Sequence, residues 1–61
     1  MTDFIITIED VGNMEEYTDL FSANSIHDAV DMALQYYSLK LAVSEEKIKI
    51  TGIQTISRYG L

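Results

Sequence analysis

Apolar residues recur in this chain at two different periods, and the order of those periods limits the fold more than any other property. Phe4, Ile6 and Ile8 stand two apart, as residues do on one face of a β-strand. Ile26, Ala29, Val30, Ala33, Leu34, Tyr37 and Leu41 stand three and four apart. At about 100° per residue they fall within roughly 140° of arc, the core-facing stripe of an amphipathic helix. Ile48 and Ile50 return to the spacing of two. With a second extended stretch before the helix, the order reads β-β-α-β. The simplest way to bury the helix stripe is a three-stranded antiparallel sheet with one helix packed on one face, an α+β domain spanning residues 1–61.

Local signals place the boundaries. Residues 3–9 read as a strand, with Phe4, Ile6 and Ile8 on one face and Ile5 on the other. Asp10-Val-Gly-Asn is the turn, because Gly12 and Asn13 both tolerate positive φ. Residues 14–22 resume an extended pattern, with Tyr17, Asp19 and Phe21 on one face and Met14, Glu16, Thr18 and Leu20 on the other. Together they predict a β-hairpin. Ser25 is placed to cap a helix over residues 26–41 by accepting from the amide of Asp28. Asp28 and Asp31 suit the positive end of the helix dipole and Lys40 the negative end. Ser44-Glu45-Glu46 suits one tight turn. Residues 47–58 form the last β-rich stretch, in which Ile53 loses the parity of Ile48 and Ile50. One extra residue near Gly52 would restore it, and glycine within a strand often marks such a bulge. Ile56 then falls on the face opposite Ile53, and Arg58 to Leu61 are expected to fray.

A chain of 61 residues buries only about 60% of its unfolded surface. It has no Cys, hence no disulfide and no thiolate metal site, so oligomerisation is the remaining common source of stability. The absence of Cys, of a basic-then-apolar start and of a long apolar run fits a cytoplasmic protein. His27 is the single histidine and the glycines are scattered at 12, 52 and 60, so neither a zinc site nor a phosphate loop is expected. No cofactor is expected either. His27 with Asp31 is the best candidate for a general base, but nothing in the sequence accompanies it to stabilise developing charge. The bland reading, a solvated helix residue, is preferred and the chain is read as not an enzyme. The carboxylates around the turn do not match the calcium-loop pattern.

The charges are sorted along the chain. Residues 1–39 hold eight carboxylates and no Lys or Arg, whereas Lys40, Lys47, Lys49 and Arg58 follow against only Glu45 and Glu46, so that −8 and +2 sum to the net −6. Asp28 and Asp31 have local work in the helix. That leaves Asp3, Glu9, Asp10, Glu15, Glu16 and Asp19, all on the hairpin. An anionic field of this kind disfavours nucleic acid and anionic lipid and steers basic partners. The alternative is that the acids serve solubility and protect the hairpin edge, with Lys47, Lys49 and Arg58 neutralising some of them across the sheet. A second feature is apolar. Met32, Tyr36 and Leu39 lie outside the main helix stripe. Either the last strand and the C-terminus, with Tyr59 and Leu61, wrap around this shoulder or it meets another chain, the partner or a second copy.

The segment from Leu20 to Val30 contains Ala23-x-Ser25-x-x-Asp28-Ala29, a strand exit and helix cap that resembles a pattern common in small β-β-α-β proteins. With its size, acidity and lack of Cys, the chain resembles the small acidic accessory proteins of tailed phages. That resemblance implies a protein that binds and inhibits one host protein, in some cases by imitating the charge of DNA. It assigns no residue a role. The sequence-based expectation is a non-enzymatic inhibitor or modulator. It would mask a basic, plausibly nucleic-acid-binding, surface of a partner protein. The alternative is a structural or regulatory homodimer.

Overall fold

The structure, a computed structural model, describes residues 1–56. Its elements run β1 (Thr2–Asp10), β2 (Glu15–Ala23), α1 (Ile26–Leu41), one 3₁₀ turn (Glu45–Lys47) and β3 (Ile48–Ile56). The three strands form one antiparallel sheet in the order β2-β1-β3, with α1 across one face. The fold class read from the two periods is therefore present. Three readings lie outside the described residues: fraying of Arg58 to Leu61, neutralisation by Arg58, and wrapping by Tyr59 and Leu61.

The central strand supplies three of the nine buried core residues, because both its neighbours and the helix cover it. Phe4, Ile6 and Ile8 of β1 are buried beneath α1, joined by Phe21 and Ala23 of β2 and Ile48 of β3. Full burial of such side chains contributes about 1.5–3 kcal/mol each. The helix answers with Ala29, Ala33 and Tyr37, a single i, i+4 row. Two alanines let the helix axis approach the sheet closely, and Tyr37 fills the space beyond them. Val30, Leu34 and Leu41 are half-buried at the side of this row. Ile26, expected to begin the stripe, is exposed. It follows the last rung of the ladder, Thr2 opposite Ala23, so little sheet remains beneath it.

Of three local devices, the helix start and the β3 bulge match the sequence signals, and the left-handed helix end has none. Ser25 Oγ accepts the amide of Asp28 at 3.1 Å, which satisfies one orphan donor of the helix start. The helix ends at Ala42 in the left-handed region, φ 55°, its amide bonded to the carbonyl of Ser38. In β3, Thr7 pairs with Gly52 while Ile8 pairs with Ile50. Thr51 is thus the extra residue that returns Ile53 to the helix side. The turn corrects the sequence reading. Gly12 does not have positive φ; the left-handed residue is Met14, φ 56°, the last of the loop. The amide of Asn13 closes the turn on the carbonyl of Asp10 at 3.2 Å.

Candidate protein-binding surface

The pleat divides the six hairpin carboxylates between the two faces of the sheet. Asp3, Glu9 and Glu16 lie on the open face, Asp10, Glu15 and Asp19 on the helix side. Burial divides them again. Asp3 is 6% exposed and Asp10 1% exposed. The Ser22 hydroxyl donates to Asp3 at 2.6 Å. Asn13 donates to one oxygen of Asp10 at 2.8 Å, and the other oxygen, Oδ1, has no hydrogen-bond partner. These two can add to the field of the hairpin but offer little surface to touch. Glu15, Glu16 and Asp19 are exposed and Glu9 is half-buried.

At the turn end of the hairpin the acids oppose one another. Glu9 stands across from Glu16, and on the next rung Asp10 stands across from Glu15. Like charges directly opposed on a ladder are unfavourable. On the other side of β1, Lys49 faces Glu9, so β3 sets a cation beside one of the four. No Lys or Arg among the described residues forms an ion pair with Glu9, Glu15, Glu16 or Asp19; the only such contact there is His27 with Asp31, 3.7 Å apart on the exposed side of α1.

Tyrosines bind two of the three helix-side acids, Asp19 and Glu15, into the fold. Tyr37, fully buried, donates its hydroxyl to Asp19 at 2.8 Å. Burial pushes its phenol well above the usual range, and the bond to Asp19 adds to the shift. Tyr17 donates to Glu15 at 3.1 Å, and that bond, more than desolvation, raises its phenol as well. The sequence already put Asp19 on the face of Tyr17 and Phe21, so its contact with the helix was within reach. The parity of Phe4, Ile6 and Ile8 likewise runs on to Asp10. Its burial went unread because carboxylates are so rarely inside.

The apolar shoulder reaches β2 through Tyr36. Met32 and Tyr36 are each 43% exposed and Leu39 is 85% exposed. The Tyr36 ring meets Phe21 of β2 edge-on, centroids 5.8 Å apart, and Tyr37 at 5.0 Å. Lys40 lies 5.3 Å from the centroid of the Tyr36 ring and donates to its hydroxyl at 3.3 Å; that bond holds the lysine above its ordinary pKa. The two features that the sequence presents separately, acids on the hairpin and an apolar shoulder on the helix, therefore meet along β2. No group of His, Cys, Asp and Glu among the described residues is arranged to hold a metal ion. No described helix is long and apolar enough to cross a membrane. No family model, curated protein or solved structure matches the chain.

Proposed function

We propose that this chain is a non-enzymatic binding protein that masks a basic surface of a partner protein, as an inhibitor or modulator. The hairpin supplies electrostatic steering and the shoulder supplies apolar burial. The observation that supports this reading most is the pair of opposed like-charge rungs, Glu9 with Glu16 and Asp10 with Glu15. Solubility alone requires no such register, since acids scattered over exposed positions would serve equally. Concentrated charge at one end of a sheet instead gives a directed field, which speeds encounter with a cationic surface and sets orientation. A nucleic-acid-binding protein offers such a surface, and masking of that kind agrees with the likeness to phage accessory proteins.

The test is capture from a cell lysate on the immobilised chain, with elution by a salt gradient and the double variant Glu15→Gln/Glu16→Gln as control. A partner held by the wild type at low salt should be released as salt rises and be lost from the control. Equal retention by both, unchanged by salt, would sink the electrostatic reading. Exposure of Met32, Tyr36 and Leu39 on one flank favours a second reading, a homodimer through the shoulder. Sedimentation separates it. Under the homodimer reading the wild type should be dimeric and Met32→Glu monomeric; a wild type that stays monomeric at high micromolar concentration removes the idea.

A further inference from the structure

We infer that the partner contributes a basic, extended segment that joins the sheet along the free border of β2, beneath the shoulder of α1. This rests on the function proposed above and adds the mode of binding. Because β2 is an outer strand, alternate residues along it direct their N–H and C=O groups away from β1, where no described strand receives them. Its ladder with β1 runs from Thr2 opposite Ala23 to Asp10 opposite Glu15 without a shift, so no bulge interrupts this border. The other border has one. Thr51 interrupts the pairing of β3 with β1, and a bulge bends an edge and spoils it as a template.

The helix reaches the unbroken border of β2. Tyr36 packs on Phe21, and Met32, one turn earlier in the same helix row, flanks it. A strand laid beside β2 would send alternate side chains under Met32 and Tyr36 and the others to the open face. Charge selects the occupant. β2 holds Glu15, Glu16 and Asp19 and no cation, with acids on both faces, so the joining segment carries Lys or Arg toward the turn end and an apolar residue opposite Phe21. A second copy is disfavoured on the same ground. Antiparallel pairing along the whole of β2 would set Asp19, its middle residue, against its own copy.

The experiment uses the full chain and short peptides selected on it from a random library at low salt. Selected sequences should carry Lys or Arg at one end and an apolar residue at the position opposite Phe21. Hydrogen exchange followed by NMR should find alternate β2 amides fast in the free chain and slowed by peptide. N-methylation of alternate peptide amides should weaken binding roughly tenfold in one phase and little in the other, since only one phase faces β2. Salt-sensitive binding that leaves the β2 amides fast overturns strand addition while the masking function stands. Slowing of the same amides by concentration alone, without peptide, puts a second copy on β2 and overturns the basic segment. Failure to select any basic peptide overturns both.

Discussion

Tyr37 ties together the two parts of the fold that are most distant in chemistry, the apolar core and the acidic hairpin. Its ring is wholly buried and its hydroxyl reaches Asp19 on β2. Tyr37→Phe keeps the ring and removes the bond, which should cost about 1–3 kcal/mol in urea denaturation. The same residue predicts a pH dependence. The phenol of the folded chain ionises above its ordinary value, because of burial first and the bond to Asp19 second, whereas in the unfolded chain it ionises near pH ~10. The neutral phenol is thus the form that the fold favours. Its contribution is complete below about pH 10 and is lost as pH rises beyond, when the unfolded chain alone gains by releasing the proton. Tyr17 and Lys40, both raised, act in the same direction. Denaturation midpoints measured from neutral to strongly alkaline pH should fall more steeply in the wild type than in Tyr37→Phe; parallel curves would contradict the assignment.

Among the elements, α1 was the most legible in sequence and the connections the least. The helix follows from a stripe, a Ser25 cap and a terminal Lys40, all local. The hairpin and the β3 bulge follow from parity, which is also local. The order of strands is not local. It depends on which border of the hairpin the chain reaches after the helix, and periodicity carries no information on that. The side of the helix that leans over β2 was hidden for the same reason, so the meeting of acids and shoulder was not foreseen. The left-handed positions among the described residues were hidden too, because they are Met14 and Ala42, types that give no turn signal. Both positions predict a gain. A non-glycine residue there bears about 1–2 kcal/mol of strain, part of which glycine returns as unfolded-chain entropy. Ala42→Gly should therefore raise stability by about 0.5–1 kcal/mol through a relaxed helix end, and Met14→Gly by a similar amount. Unchanged thermal midpoints in both would show that the turns bear no such strain.

For the molecule as a whole, the proposed function sets stability and binding against one another at the opposed acids. Replacing Glu16 with Lys turns the rung with Glu9 from repulsive to attractive, a change of about 0.2–1 kcal/mol on an exposed ladder. Glu16→Lys should melt higher than the wild type at low salt and lose the advantage as salt screens the repulsion. It should also lose the salt-sensitive partner. A variant that is both more stable and equally able to bind would mean that the acids are not there for recognition. The unequal borders of the sheet bear on valence. With β2 unbroken and β3 interrupted at Thr51, the described sheet has one regular border and one bulged border. A partner strand that takes the β2 position finds no equally regular edge opposite it. The chain would then cap its partner one to one, neither bridging two partners nor growing into a polymer, which is the stoichiometry that suits a blocker.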